Sequence, residues 1–301
     1  MEQGKWTTEM KEEWILCKKD KEHKIATITL NRPEVLNAMT LAMYDKVNQI
    51  VADFDTDEDV KVIVLNGTGQ AFCSGFDIEE LGFIHGQGTP KHGERIRRPS
   101  QRERLAMDRN HFWGRRGPYA TVLHCLKATI ASVHKYCYGA GLEFALACDI
   151  TIAAEGTLFT HPGWQYIGPT GDLGLLIQTI GVKKAKEITL TGIPIDAQEA
   201  LRVGLVNKVV PVDRLEEETM KMAEIITHRP FDGIVMGKTH FEAALEHLST
   251  SATDYIAHAM QTNIRYELGE YNLFEERRDS GRTEAIRKRM SRFTGKERLS
   301  A

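Results

Sequence analysis

Residues 129–153 have the sequence TIASVHKYCYGAGLEFALACDITIA, and this stretch decides the fold class. The apolar run from Thr129 to His134 predicts a buried strand, and Asp149 to Ala153 predicts a second one. Between them, Gly141 to Ala147 predicts a short helix. Strands that alternate with helices indicate an α/β architecture.

The same alternation continues on both sides of this stretch. Residues 14–18 and 25–30 predict a hairpin, and the apolar spacing over 40–54 predicts a helix with Thr40 as its N-cap. Further strands are predicted at residues 60–65 and 207–210. Short helices are predicted at residues 174–180, 184–190 and 197–203.

The pattern changes near residue 215, after which no strand signal is left. Four amphipathic stretches follow, at residues 215–226, 232–247, 252–267 and 274–289. We therefore expect a core spanning residues 1–214 and a C-terminal helical region spanning residues 215–301.

The composition excludes several classes of protein. The chain has 301 residues, of which 42% are hydrophobic and 27% charged, as is ordinary for a globular protein. Its net charge of −3 gives no global reason to expect nucleic acid or a membrane surface as a partner. The five cysteines form no CxxC pair, which disfavours a disulfide framework or a zinc site, and no metal is expected. With no signal-peptide pattern near Met1, we expect a cytoplasmic protein.

One insertion, at about residues 82–126, differs in charge from the rest of the chain. Between Leu81 and Leu126 there are eight arginines and Lys91 against three acidic residues. The excess of positive charge is compatible with a solvated surface loop, with binding of phosphates or of a substrate carboxylate, or with RNA.

Two glycine-rich turns are the candidate functional features. The first, residues 71–77, has the sequence AFCSGFD, and the second, residues 138–143, is YGAGLE. Glycines let the backbone approach a ligand, and amides at a helix start are anion donors. Two facing turns would supply two N–H groups to one developing negative oxygen. Neither turn matches a dinucleotide or phosphate-loop fingerprint.

These turns belong to an ordered series of motifs. The series is LNRPEVLNAM at 30–39, SGFD at 74–77, GAGLE at 139–143, ACDI at 147–150, LTG at 190–192, AQEA at 197–200 and GLVN at 204–207. In this order the motifs resemble the enoyl-CoA hydratase/isomerase (crotonase) superfamily, over roughly residues 14–293.

The resemblance implies a crotonase-like spiral of ββα units with a C-terminal helical trimerisation region, assembled as a homotrimer or hexamer. It implies an acyl-CoA substrate, with coenzyme A entering as part of that substrate and no separate cofactor. The backbone N–H groups of Ser74 and Ala140 match the family's oxyanion positions. The remaining contacts to coenzyme A or substrate would come from Leu36, Ala38, Gly75, Phe76, Asp77, Ile78, Gly139, His161, Trp164 and Tyr166.

The catalytic residues implied by the resemblance are Glu143 and Asp172. Glu143 matches one glutamate of the hydratases, but Gly163 occupies the position of their second glutamate. Asp172 matches an acidic position of the family's dienoyl-CoA isomerases and 4-chlorobenzoyl-CoA dehalogenases, although it is also well placed as a helix N-cap. Trp164 and Tyr166 would be pocket walls that favour a bulky or cyclic acyl group.

Two further departures concern the backbone. The family usually has three glycines where this chain has Gly139-Ala140-Gly141, and a glycine where this chain has Lys135. The first is tolerable, because the role of Ala140 belongs to its backbone N–H.

Three functions remain open at this stage. The leading hypothesis is a lyase or isomerase that adds water to, or moves, a double bond conjugated to a thioester. The second is a hydrolase of a carbon–carbon bond in a cyclic β-diketone or β-keto thioester, with a small-molecule ketone as substrate. The third is a non-catalytic RNA-binding protein that uses Arg95 to Arg116.

Overall fold

A six-stranded sheet forms the centre of the fold. The computed structural model describes residues 10–78, 80, 119–165, 173–247 and 272–291. The strands are β1 Ile15–Asp20, β2 Ile25–Leu30, β3 Val62–Gly67, β4 Ala128–Val133, β5 Tyr136–Tyr138, β6 Ile150–Ala154, β7 Leu158–Thr160, β8 Ile195–Asp196 and β9 Lys208–Val210. The large sheet has the order β1-β2-β3-β4-β6-β9 and is parallel except for the β1–β2 hairpin.

The helices are interleaved with these strands. They are α1 Leu41–Asp55, α2 Ala120–Leu123, α3 Ala140–Ala147, α4 Leu173–Thr191, α5 Ala197–Arg202, α6 Leu215–Thr227, α7 Phe231–His247, α8 Leu273–Ser280 and α9 Arg282–Ser291. Short 3₁₀ turns lie at Glu12–Trp14, Pro33–Val35, Pro162–Gln165 and Val212–Arg214. The predicted α/β class and hairpin are confirmed, and so is the Thr40 N-cap, whose side chain accepts a hydrogen bond from the Met43 amide at 3.2 Å.

A second, three-stranded sheet has the order β5-β7-β8 and was not predicted. Its strands are only two or three residues long, too short to show a period in the sequence. Because of this sheet, the element order contains two successive ββα units, β4-β5-α3 and β6-β7-α4. Each unit places one strand in the large sheet and one in the small sheet, so that both sheets grow together along the chain.

Glycine conformations interrupt two of the helical ranges. The helices predicted at residues 174–180 and 184–190 both lie within α4, and Gly181, where φ is +78°, separates them. The prediction of a single helix over 274–289 is wrong, because Gly281 has φ +82° and separates α8 from α9. Side chains other than glycine rarely adopt such angles, so the backbone bends at these residues.

The first tail helix is part of the core. Leu215 and Ala223 of α6 are buried against the apolar face of the large sheet, together with Ile25, Val64 and Ile152. A larger apolar cluster fills the space between the opposite face of this sheet and helices α1, α3 and α4. The predicted helix at 252–267 and most of the arginine-rich insertion, residues 82–118, lie outside the described residues.

Helix α7 is joined to the core by a polar cluster around Asp149. Its carboxylate oxygen Oδ2 accepts hydrogen bonds from the Thr129 amide at 2.7 Å and from Lys238 Nζ of α7 at 2.7 Å. The Thr129 hydroxyl is 3.0 Å from the same oxygen. Thr129 is fully buried, so its amide depends on this acceptor.

The described residues contain neither a membrane-spanning helix nor a cluster of metal ligands. None of the described helices is both long and apolar enough to cross a bilayer. Within the same residues no three His, Cys, Asp or Glu side chains converge as metal ligands. All five cysteines are free thiols, and only Cys17 is exposed.

We expect Asp149→Ala to lower the free energy of unfolding by about 1–3 kcal/mol, because it leaves the buried Thr129 amide without an acceptor and breaks the link to α7. Urea unfolding followed by circular dichroism measures the effect. The matched control is Asp213→Ala, at an exposed site, where a change below about 0.5 kcal/mol is expected. Equal effects of the two substitutions would contradict this account of α7.

Candidate active site

The two glycine-rich turns are hydrogen bonded to each other along their main chains. The Cys73 amide donates to the Tyr136 carbonyl at 3.0 Å, and the Tyr138 amide donates to the Cys73 carbonyl at 3.0 Å. The Phe72 amide donates to the His134 carbonyl, also at 3.0 Å. The two turns therefore lie directly against each other.

Their approach is so close that it requires glycine. A Cβ atom on Gly141 would lie 2.8 Å from both Cβ and the carbonyl oxygen of Cys73. A Cβ atom on Gly75, where φ is +112°, would lie 3.3 Å from the Tyr138 carbonyl oxygen. Gly139 also has a positive φ, of +48°, and lies against Gly75. The glycines thus allow the two backbones to touch.

Three of the four amides from Ser74 to Asp77 are already used within the fold. The Ser74 N–H donates to the Leu36 carbonyl at 2.9 Å, and the Asp77 N–H donates to the Met39 carbonyl at 2.7 Å. The Gly75 N–H points to the Cys73 sulfur at 3.4 Å. None of the described residues accepts a hydrogen bond from the Phe76 N–H.

This pattern corrects the assignment of Ser74. Its amide is engaged by Leu36 and is not available to an acyl oxygen, whereas that of Phe76 is. The cause is the strand-like pairing of Met39 with Phe76, in which alternate amides point to opposite sides. Gly75 and Asp77 bond to Met39, so the Phe76 N–H points away from it. Nothing in the sequence of the turn reveals which of its amides has this orientation.

In the second turn, too, one backbone N–H group has no acceptor among the described residues. The Gly139 N–H donates to the Thr160 carbonyl at 3.0 Å, and the Gly141 N–H bonds to the Cys73 thiol. Ala140 is the first residue of α3, so its N–H has no acceptor within the helix, and no other described residue supplies one. Each of the two joined turns therefore offers one amide, from Phe76 and from Ala140.

The thiol of Cys73 lies between the two turns and is fully buried. Burial raises the pKa of this thiol from 9.0 to about 12, so the group is neutral near pH 7. It accepts the Gly75 and Gly141 amides and is not poised as a nucleophile. Its function in the site is to join the turns.

The segment predicted to hold coenzyme A is fixed by a polar network. Arg32 Nη1 is 2.5 Å from Asp77 Oδ2 and 3.1 Å from the Ala38 carbonyl. The Asn37 side chain donates to the Thr68 and Ala71 carbonyls at 2.9 and 2.8 Å and accepts the Arg32 amide at 2.7 Å. These contacts hold Leu36 and Asn37 in left-handed conformations, both with φ +56°. Leu36 and Ala38 are thereby placed beside the first turn.

Glu143 lies in the first turn of α3, three residues after the Ala140 amide. The Tyr44 hydroxyl donates to its Oε2 at 3.1 Å. His161 Nε2 lies 3.5 Å from its Oε1, and the His161 side chain is almost fully buried. The structure therefore brings His161, predicted as a substrate contact, to the carboxylate. The sequence does not reveal the contact of Tyr44, because Tyr44 fits the apolar spacing that predicts the helix over residues 40–54.

The remaining predicted residues are only partly placed. Gly163, at the position of the family's second glutamate, is buried in the 3₁₀ turn Pro162–Gln165 and provides no carboxylate. Trp164 is half-buried on the same turn, and none of the described residues accepts a hydrogen bond from its indole N–H. Asp172 and Tyr166 lie outside the described residues, so their roles stay predictions.

The backbone conformation of Lys135 explains why glycine is the usual residue at this position. Its φ is +58°, a left-handed angle that glycine adopts more easily, and its carbonyl accepts the Leu158 amide at 2.9 Å. A lysine is accommodated here with some backbone strain at the start of β5.

Comparisons with known proteins agree on one family. The family model described as enoyl-CoA hydratase/isomerase matches residues 20–280. The chain is 34% identical over 229 residues to a probable mitochondrial enoyl-CoA hydratase of Dictyostelium discoideum, covering 75% of each protein. It is 31% identical over 237 residues to the mevalonyl-coenzyme A hydratase of Aspergillus fumigatus, covering 76% of this chain and 81% of that protein.

Solved structures give the same result. The crystal structure of an enoyl-CoA hydratase/isomerase from Xanthobacter autotrophicus Py2 superposes with a TM-score of 0.74 at 31% identity. The alignment covers 94% of this chain and 99% of that one. An enoyl-CoA hydratase structure from Mycobacterium smegmatis gives a TM-score of 0.78 at 23% identity, which supports the fold alone.

We expect Gly141→Ala to lower the free energy of unfolding by about 1–3 kcal/mol, because the new methyl group cannot fit against Cys73. Gly141 has a helical backbone, so this contact alone excludes a side chain. Chemical denaturation measures the change. The control is Gly237→Ala in α7, where a Cβ meets nothing within 4 Å and stability should rise by up to about 1 kcal/mol. If Gly141→Ala were as harmless as Gly237→Ala, the close contact of the turns would be refuted.

Proposed function

The chain belongs to the enoyl-CoA hydratase/isomerase family, and from this premise we propose that it stabilises the enolate of an acyl-CoA thioester. The observation that carries the proposal is the pair of amides from Phe76 and Ala140, one on each of two joined turns. Both lack an acceptor among the described residues. Glu143 stands one helical turn from the second of them.

In the proposed mechanism, the two N–H groups donate to the thioester oxygen. Negative charge develops on this oxygen when the acyl chain loses a proton next to the thioester. The same charge develops when a nucleophile adds to the conjugated double bond. Fixed donors stabilise that charge without reorganisation, and losing one donor typically costs about 3–4 kcal/mol. The Leu36–Ala38 segment and the Phe76–Ile78 part of the turn would lie along the coenzyme A arm. Coenzyme A enters as part of the substrate and leaves as part of the product, because neither water addition nor double-bond migration breaks the thioester.

We assign proton transfer at the acyl chain to Glu143. Water addition and double-bond migration both require a group that gives or takes a proton next to the thioester. Gly163 cannot supply the second carboxylate of the hydratases, so Asp172 remains our candidate for that role. In hydration a water molecule loses a proton as its oxygen adds to the β carbon, and the α carbon gains one. In isomerisation one carbon loses a proton and another carbon gains it. Both reactions are compatible with this pair of residues.

We also propose a bulky or cyclic acyl group as substrate. Gly163 has no side chain where the hydratases resembled by this chain have a glutamate, so the volume of that glutamate side chain is not filled by this residue. Trp164 lies within the same 3₁₀ turn and presents a half-buried aromatic side chain. A larger acyl group would use both features.

We propose a homotrimer or hexamer that buries the C-terminal helices. Met236 and Phe241 of α7 are 71% and 73% exposed, far more than apolar side chains of this size in a stable core. A second copy of the chain would cover them. All five thiols are free, which supports our proposal of a reducing compartment such as the cytoplasm.

We expect Glu143→Gln and Asp172→Asn each to lower kcat by about 10²–10⁴-fold, because each removes a proton carrier. Binding of a saturated acyl-CoA, measured by calorimetry, should change less than about threefold. Turnover is followed by the absorbance of the conjugated thioester, on a panel of linear and cyclic enoyl-CoAs and a cyclic β-diketone.

The control for this test is Glu155→Gln, at an exposed site, which should leave kcat unchanged. Full activity of Glu143→Gln would overturn the proposal. Full activity of Asp172→Asn with reduced thermal stability would make Asp172 only a helix cap. Turnover of the diketone but of no enoyl-CoA would favour carbon–carbon bond hydrolysis.

Light scattering at micromolar concentration should give the mass of a trimer or hexamer. Phe241→Glu should shift this mass downward, because a carboxylate would be buried at the contact. Leu190→Glu, at a 62% exposed apolar residue outside the tail, is the control and should not change the mass. A monomeric wild-type protein would rule out this assembly.

A further inference from the structure

Tyr44 lies where the two parts of the candidate active site meet. It is the fourth residue of α1 and is only 1% exposed. Its ring stacks on Phe144 of α3, with centroids 5.2 Å apart and planes at 25°. On another side it contacts the ring of Phe76, with centroids 5.4 Å apart. One buried side chain therefore touches both the first turn and α3.

The hydroxyl of Tyr44 reaches the carboxylate of Glu143. A phenol buried this deeply needs a hydrogen-bond partner, and it donates to Oε2 at 3.1 Å. The contact uses one oxygen of the carboxylate, while the other, Oε1, faces His161 at 3.5 Å. The terminal torsion of a glutamate is otherwise soft, so a contact at Oε2 decides where Oε1 points.

The hydroxyl and the ring of Tyr44 contact different parts of the site. The hydroxyl holds the carboxylate to which we assign proton transfer, and the ring supports Phe76, whose N–H would donate to the acyl oxygen. Tyr44 therefore sets the separation between the two sites at which the substrate would react. Small errors in such a separation are costly in catalysis.

From these contacts we propose that Tyr44 is a positioning residue, which orients Glu143 through its hydroxyl and holds the Phe76 turn through its ring. This inference rests on the proposed function. It adds a residue that the motif comparison does not point to, since Tyr44 lies outside the quoted motifs. It also divides one side chain into two contributions, of which the hydroxyl can be removed alone and the ring together with the hydroxyl.

The first variant, Tyr44→Phe, removes only the hydroxyl. A lost hydrogen bond to a charged group corresponds to about a 10- to 100-fold reduction, which we expect in kcat. The affinity for butyryl-CoA, a non-reacting probe, should stay within about threefold, because the ring remains. The second variant, Tyr44→Leu, removes the ring as well, and we expect an additional loss of about tenfold in butyryl-CoA affinity.

A double-mutant cycle separates positioning from a general effect on folding. In the Glu143→Gln background, Tyr44→Phe should have no further effect on kcat, because the group it orients has lost its function. The matched control is Tyr119→Phe, at another buried tyrosine of the same apolar cluster, and its kcat should be unchanged. Thermal unfolding of each variant reports its stability, so that Tyr44→Phe remains informative if Tyr44→Leu fails to fold.

The outcomes distinguish the two proposals. If Glu143→Gln retains full activity, the proposed function fails. If Glu143→Gln is inactive but Tyr44→Phe has the wild-type kcat, only the inference about Tyr44 fails. If Tyr44→Phe lowers kcat equally in the wild-type and Glu143→Gln backgrounds, its effect does not pass through Glu143, and the positioning role is refuted.

Discussion

The structure depends on a short main-chain ladder between the two glycine-rich turns. Cys73 exchanges hydrogen bonds with Tyr136 and Tyr138, and Gly141 allows contact between the turns. This pairing links the loop after β3 to the connection between β5 and α3. A parallel sheet alone leaves such connections free to diverge, whereas the ladder fixes them against each other. The unused amides of Phe76 and Ala140 are a consequence of that fixed arrangement.

The ladder also determines where the side chains of the site can lie. Helix α3 begins at Ala140, so Glu143 is carried on its first turn at a set distance from the donor amide. Tyr44 reaches Glu143 from α1, and α1 begins at Thr40, directly after the Met39 bridge to Phe76. Two helices that start at the same pair of turns therefore bring their polar groups together. The contacts that fix the starts of α1 and α3 therefore also fix the positions of Tyr44 and Glu143.

The sequence predicted the large features because they are local or periodic. Buried strands such as Val62–Gly67 and the capped helix at Thr40 follow from apolar spacing and from one side-chain bond. The small sheet was missed, since three-residue strands have no period and depend on partners distant in the chain. Ser74 was preferred to Phe76 for a similar reason: which amide is free depends on pairing with Met39, a contact across the fold. Tyr44 was taken as an ordinary core residue because only its neighbours, Phe76, Phe144 and Glu143, distinguish it.

The use of main-chain donors has a consequence for how the amino-acid sequence of such a site can change. An amide N–H is present at positions 76 and 140 whatever side chain is attached, provided that the residue is not proline. Substitution can therefore exchange acids, aromatic walls and small residues around the donors without removing them. The alanine at position 140 and the glycine at position 163 are both changes of this kind. A scaffold built in this way can acquire new substrates by point substitution while its means of holding an enolate stays the same.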